Sequence, residues 1–210
     1  ALATTTRAMA AVTADGELRV WGAEDALEVL DVPPGITDVV AVSLAQGAGL
    51  VLHRDGTVTG WGSEHIAEVP DGLRAKAIAL GQSGKIAYAV RTDGTLEVWG
   101  DPTFVPLLPA PELADLVDVS ANQFQALALH ADGTVTSWGL MPQYDQANVP
   151  DFGDRKVEQV VAGLNASGVV LDDGTIEVWG QTPPAGQPEF GGETEGADET
   201  VVSLSLGTNG

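Results

Sequence analysis

Residues 55–62 read DGTVTGWG, and four other stretches repeat them: DGELRVWG at 15–22, DGTLEVWG at 93–100, DGTVTSWG at 132–139 and DGTIEVWG at 173–180. The chain has five tryptophans, and each closes one of these blocks: Trp21, Trp61, Trp99, Trp138 and Trp179. They fall 40, 38, 39 and 41 residues apart. A period this even marks a repeat architecture, in which one small unit cannot bury its apolar face alone and stacks on its neighbours.

Within each block Asp-Gly suits a two-residue hairpin turn, because Gly accepts positive φ at no steric cost. A short apolar run precedes it and a β-branched run ending in Trp follows it, so the block reads as a β-hairpin. Another apolar segment lies upstream (39–44, 77–80, 116–119 and 157–161), and a stretch that often closes on Val-Pro lies downstream. Each unit therefore reads as four short strands, A to D, with the hairpin supplying B and C. Residues 23–30 come nearest to a helical pattern, at a strand D position. Four-stranded units of about 40 residues predict an all-β β-propeller, one domain over residues 1–210. The ends suggest closure. Residues 200–206 (TVVSLSL) match strand A at 38–44 (DVVAVSL), whereas the first hairpin, beginning at Ala8, has no matching strand A before it. The expectation is five blades, closed by pairing of the N- and C-terminal segments.

The pattern of strand A, a Gly- or Asn-containing loop, an apolar strand B and D-G-x-[VLI]-x-x-W-G resembles the RCC1-like repeat family. The resemblance runs over residues 8–206, and the short unit is similar to bacterial members, among them secreted β-lactamase inhibitory proteins. A WD40 propeller is the structural alternative, but each Trp here precedes Gly rather than Asp. The resemblance implies a binding module. It also implies a ring of commonly seven blades, where this chain has material for five.

Composition narrows the function. Thirty acidic residues face nine basic ones, a net charge of −21, with only three Lys. Such a surface repels nucleic acid and anionic membrane, so neither is expected as a partner. It also fits a surface simply kept soluble by its charge, adaptation to high salt, or docking to a basic partner. No Cys is present, which removes disulfides, thiol nucleophiles and thiolate metal sites.

No catalytic, metal or cofactor site is read from the sequence: HExxH, GxSxG and the P-loop are all missing. His53 and His130 share a repeat position that Thr13, Arg91 and Leu171 fill elsewhere, so they read as surface residues rather than ligands. The block Asp residues read as turn chemistry, and the tryptophans as anchors between blades. Recognition is expected in what varies, namely the A–B and C–D loops, which open on the face opposite the near-identical B–C turns. Candidate contact residues there are His65, Phe104, Gln123, Phe124, Met141, Tyr144 and Asn165. Residues 181–200, rich in Pro, Gly and acid, form the longest connection.

These features point to a non-enzymatic, cofactor-free protein-interaction or structural module. One version is a decoration, tail or receptor-binding component of a virus particle, with capsid or tail subunits as partners. A second is a secreted inhibitor, and a third a nucleotide exchange factor. A virion or extracellular setting is favoured over the cytoplasm.

Overall fold

The structure, a computed structural model, describes residues 1–23, 27–104, 113–122, 125–139 and 147–180. Among these residues, fifteen strands form five antiparallel sheets of three, each sheet in chain order. Blade 1 is β1 (Leu2–Thr4), β2 (Ala8–Val12) and β3 (Leu18–Gly22). Blade 2 is β4 (Val39–Ala45), β5 (Ala48–His53) and β6 (Val58–Gly62); blade 3 is β7 (Ala75–Leu80), β8 (Ile86–Arg91) and β9 (Leu96–Gly100). Blade 4 is β10 (Leu116–Ala121), β11 (Gln125–His130) and β12 (Val135–Gly139); blade 5 is β13 (Val157–Ala162), β14 (Ala166–Leu171) and β15 (Ile176–Gly180). The first strands of successive blades lie side by side, which is the arrangement of a propeller's inner strands.

The middle strands are buried along almost their whole length because both faces meet a neighbouring blade. Alternate residues serve the two sides. Leu50 and Leu52 join the cluster shared with blade 3, whereas Val51 joins the cluster shared with blade 1. This is why continuous apolar runs occur in an antiparallel sheet.

The tryptophans enter the junction with the preceding blade. Trp61 packs with Ala8, Ala10 and Val29, Trp99 with Leu50, Leu52 and Ile66, and Trp138 with Ile86, Tyr88 and Val90. Trp179 lies against Leu127 and Leu129. A small residue stands opposite each ring (Gly49, Ala87, Ala126, Ser167). A Cβ at Gly49 would fall within the Trp61 ring. Trp21 differs: its partner across the ladder is Met9, and it is 46% exposed.

Three expectations are corrected. In blades 1 and 2, where a fourth strand D is expected, the described residues make short helices instead, α1 (Leu27–Leu30) and α2 (Glu64–Ala67). The helical turn aims a carbonyl at the next blade's indole: Trp61 Nε1 donates to Val29 O at 2.9 Å and Trp99 Nε1 to Ile66 O at 3.5 Å. The Val-Pro that follows suits an exit rather than a strand, since Pro cannot donate to a ladder.

The Asp-Gly turn is also not a two-residue hairpin. Gly56 N–H donates to His53 O at 2.9 Å and His53 N–H to Thr57 O at 2.9 Å, so residues 54–56 form a three-residue loop. Gly56 sits at φ 84°, whereas Asp55 does not adopt positive φ. That is a type I turn closed by a left-handed Gly. Asp55 Oδ1 accepts the backbone N–H of Thr57 at 2.9 Å and its hydroxyl at 2.6 Å.

Finally, blade 1 has its own first strand. Leu2–Thr4 pairs with β2 (Leu2 with Ala11, Thr4 with Met9), after a tight turn in which Thr5 Oγ1 accepts the Ala8 N–H at 2.8 Å. Leu2–Thr4 thus stands where the sequence reading saw no first strand. A three-residue strand without a β-branched run carries no sequence signal of its own. Residues 200–206 lie outside the described residues.

Candidate protein-interaction face

The two faces of the propeller are built differently. On the turn face, each Asp-Gly loop also ties its blade to the next. The carbonyls of Gly16, Gly56, Gly94 and Gly133 accept the N–H of Val39, Ala75, Leu116 and Val157 at 3.0, 2.8, 2.9 and 3.2 Å. His53 spans the same region. Its Nδ1 lies 2.7 Å from Thr37 O and its Nε2 2.9 Å from Thr59 Oγ1. His130 repeats this with Ala114 O (3.0 Å) and Thr136 Oγ1 (2.8 Å). Blade 3 substitutes both partners at once, and there Arg91 pairs with Glu97. A hollow of about 560 Å³ lies here, lined by Thr37, Asp38, His53, Arg54, Asp55 and Thr57. Its polar groups are largely committed to holding the turn. Hydrogen bonds from Thr57, side chain and then backbone, hold the Asp55 carboxyl below the usual range, and Asp93, Asp132 and Asp173 behave alike with Thr95, Thr134 and Thr175.

The loop face carries a cleft of about 300 Å³ across three blades. The A–B loops contribute Gln46 and Gly47 from blade 2 and Ser83, Gly84 and Lys85 from blade 3. The segments after strand C contribute Glu28, Ser63, Glu64, His65 and Asp101. Two backbone devices bring them together. Ser63 N–H donates to Gly47 O and Asp101 N–H to Lys85 O, both at 2.8 Å, so each C–D segment is pinned to its blade's A–B loop. Gly47, at φ 70°, leaves the space into which the Glu28 carboxylate leans; a Cβ there would lie 2.5 Å from Glu28 Oε2.

Three carboxylates (Glu28, Glu64, Asp101) thus face one lysine and one histidine. Asp101 accepts the Thr103 hydroxyl at 2.6 Å and its N–H at 2.9 Å. These bonds come first, and the positive potential of His65 and Lys85 adds to them, in holding the Asp101 carboxyl below the usual range. Lys85 Nζ lies 3.8 Å from Asp101 Oδ2, a loose pair with Lys85 43% exposed. The cleft has formal charge, little apolar lining and no metal-type grouping of three His, Cys, Asp or Glu among the described residues.

Of the candidates read from sequence, His65 lies in this cleft. Phe104 is 40% exposed one turn further along the same C–D segment, its N–H on Asp101 O. Asn165 is half-buried on blade 5, away from the cleft. Gln123, Phe124, Met141 and Tyr144 lie outside the described residues. Sequence reading misses Glu28, Lys85 and Asp101 as individuals, although Lys85 and Asp101 fall within the loops it marks. A search for charged residues at equivalent loop positions of adjacent units finds them. It also misses a polar knot between blades 4 and 5, where buried Asn122 donates to Gly163 O and buried Gln125 binds Ser137 and Ser167.

No protein-family model matches the chain. Among curated proteins it is similar to the RCC1 domain-containing protein RUG3, mitochondrial, of Arabidopsis thaliana. The two are 23% identical over 251 aligned positions, covering all of this chain and 51% of the relative. The chain thus spans about half the length of that relative. Among solved structures it is similar to the CRINKLY WD40 ectodomain of the Arabidopsis thaliana receptor kinase ACR4. That match has a TM-score of 0.66 and 17% identity, covering 87% of this chain and 69% of that one. It is likewise similar to Prp20p from Saccharomyces cerevisiae, with a TM-score of 0.64 and 19% identity, covering 86% and 57%. The fold is that of a β-propeller, and the chain is similar in sequence to a protein that carries an RCC1 domain.

Proposed function

We propose that this chain is a non-enzymatic interaction propeller that binds a protein partner presenting basic side chains to the loop face. One observation carries this reading: the cleft assembles non-repeating charged residues from three blades on a frame that repeats. Variable polar groups on a rigid scaffold suit recognition, and an acidic cleft on a chain of net charge −21 favours encounter with a basic surface. Prp20p, described with binding properties toward Gsp1p and histones, offers a parallel at the level of fold, since histones are basic. Fold alone does not transfer function. Within this reading, the version in which the partner is a capsid or tail subunit of a particle draws support from the acidic, cysteine-free composition.

The test is comparative capture. The wild-type chain, a loop-face variant (Glu64→Lys with Asp101→Asn) and a turn-face variant (Thr57→Lys) are immobilised and exposed to proteins from the source, with quantitative mass spectrometry. Binding that survives on the turn-face variant, falls with the loop-face variant and weakens with salt supports the proposal. Binding lost only with the turn-face variant would place recognition on the opposite face. The identity of the captured protein separates the particle version from an inhibitor, whose target is an enzyme.

A further inference from the structure

All five B–C turns carry Asp-Gly. This dipeptide cyclises more readily than others, because glycine has no side chain to shield its amide nitrogen from the neighbouring carboxyl. The amide nitrogen bonds Cγ of the protonated carboxyl, whose hydroxyl leaves with the N–H proton as water, and a five-membered succinimide results. Water then re-enters. Cleavage of the Cγ–N bond restores aspartate. Cleavage of the ring's other C–N bond leaves an isoaspartyl link, in which the main chain runs through Cγ and gains one carbon. Atoms balance with water alone, and nothing is oxidised.

In a folded turn two restraints must yield first. The glycine N–H is held by the carbonyl three residues back, and here all five turns agree. Gly16, Gly56, Gly94, Gly133 and Gly174 donate to Thr13, His53, Arg91, His130 and Leu171 O at 2.9 to 3.0 Å. The carboxylate is the second restraint, and here blade 1 differs. In blades 2 to 4 the threonine two residues on closes over it with both N–H and hydroxyl, at 2.9 and 2.6 Å on Asp55, 3.0 and 2.6 Å on Asp93, and 3.0 and 2.7 Å on Asp132. Thr175 does the same at Asp173, with its N–H at 2.9 Å. Blade 1 has Glu17 at this place. The Glu17 N–H goes to Thr13 Oγ1 at 3.0 Å, and its side chain to Arg19. Asp15 is held by the Thr13 hydroxyl at 2.5 Å, with its own N–H adding to it. That hydroxyl has a second acceptor at hand, Glu17 O at 3.2 Å. Coverage points the same way. Trp21 is 46% exposed on this blade, against 2%, 8% and 9% for Trp61, Trp99 and Trp138. Local opening, which frees the glycine N–H, is easiest where burial is least.

We propose that Asp15 is a site of self-modification in the folded chain, converting to isoaspartate through the Gly16 amide while the other four Asp-Gly turns are held closed. The threonine clamp, rather than the dipeptide, selects the turn that reacts. The added carbon falls in the loop whose Gly16 carbonyl accepts the Val39 N–H at 3.0 Å. A Cβ at Gly16 would already lie 3.1 Å from Asp38 Cα, so the loop has no room to widen in place. Modification therefore loosens the tie between blades 1 and 2.

The test holds the whole chain at mildly acidic pH and body temperature for several weeks. The protein is then digested, and isoaspartyl peptides are resolved from aspartyl peptides of equal mass by liquid chromatography with mass spectrometry. Isoaspartate at Asp15 should form roughly tenfold or more faster than at Asp55, Asp93, Asp132 or Asp173, the factor expected from one hydrogen bond to a charged group. In urea the five sites should react at similar rates. Glu17→Thr, which rebuilds the clamp, should bring Asp15 down to the other four. His53→Thr with Thr57→Glu, which copies the blade 1 turn into blade 2, should raise Asp55 to match Asp15. Equal rates at all five sites of the folded chain, a faster site elsewhere, or an Asp15 rate that Glu17→Thr leaves unchanged would overturn the proposal. A bias toward Asp15 that persists in urea would assign it to local sequence rather than to the clamp, and would overturn it too.

Discussion

On the turn face, five loops of nearly one sequence make nearly one set of bonds. On the loop face, segments at equivalent places share a backbone course but present different side chains. Both faces are edges of the same sheets, so the contrast arises from what each must close. A B–C turn must return the chain within its own blade and also offer a glycine carbonyl to the next one. Few sequences satisfy both demands, and the Asp-Gly-Thr solution recurs. The A–B and C–D segments are pinned to each other by backbone bonds, such as Ser63 N–H to Gly47 O. Their side chains are left free to differ. Sameness in this molecule marks structure, and difference marks the surface available for recognition.

The largest effect should separate two copies of the most repeated residue. Trp61 is 2% exposed, packed across the junction of blades 1 and 2, with its indole N–H on Val29 O. Trp61→Ala should cost about 3–5 kcal/mol, from lost burial plus the cavity left behind. Trp21→Ala, at a ring 46% exposed, should cost about 1 kcal/mol or less. Urea unfolding of the two variants checks this. Equal losses would show that Trp21 is covered in solution and would blur the distinction between inner junctions and the first blade.

A second test breaks the repeat from inside. Asp118 stands on β10 at the place where Ala41 and Ala77 pack against neighbouring blades. Burial pushes its pKa up to about 6, offset in part by the Val119 N–H at 2.8 Å. The folded chain thus holds this proton more tightly than the unfolded one. Its contribution to stability is full below the ordinary carboxylate pKa of 3.8 and is lost as pH rises through about 6. Asp118→Asn should therefore stabilise the protein at pH 7, by roughly 2 kcal/mol, and leave it nearly unchanged at pH 4. Thermal unfolding at both pH values measures the difference. A gain of the same size at pH 4 would mean that desolvation of the carboxylate is not the cause.

How far the sequence revealed all this depends on the kind of contact. The hairpins, the period and the propeller were legible because Asp-Gly, β-branched runs and Trp each act locally or at a fixed offset. The helices in place of strand D in blades 1 and 2 were not. Residues 64–67 form a helical turn whose Ile66 carbonyl accepts the indole N–H of Trp99, 33 residues on, a partner that no local pattern reveals. Strand β1 was hidden because three residues show no periodicity, and a hydroxyl turn at Thr5 supplies the reversal. At the loop face, the positions were legible and the partnerships were not. His65 was visible as a loop residue, but its neighbours Lys85 and Asp101 come from the next blade's A–B and C–D segments, and only the stacking of units brings them together.

The turn-face histidines give a smaller effect and sharpen the meaning of sameness. His53→Ala removes links to Thr37 O and Thr59 Oγ1, each of a kind that contributes about 0.5–1.5 kcal/mol. A loss of about 1–2 kcal/mol is expected in chemical denaturation. His53→Arg combined with Thr59→Glu copies the Arg91–Glu97 pair of blade 3 and should recover much of it. Rescue by the double variant but not by His53→Arg alone would show that the frame selects the pair rather than the residue. A neutral His53→Ala would show that even the repeated positions tolerate loss.

The smallest effect on stability should come from the cleft, and there the face comparison is most exposed to failure. Lys85 is 43% exposed, and its bond to Asp101 spans 3.8 Å. A loose surface pair of this kind contributes about 0–1 kcal/mol. Lys85→Ala should shift the urea midpoint by no more than about 0.5 kcal/mol equivalent, against the multi-kcal loss at Trp61. The same substitution removes the one lysine opposing Glu28, Glu64 and Asp101. It should strengthen capture of a basic partner and steepen the salt dependence, because the cleft gains net negative charge. A Lys85→Ala chain that is as stable as wild type and binds the partner more weakly would mean that Lys85 itself makes the contact. The partner's complementary surface would then be acidic at that point, and the loop face would read charge of both signs.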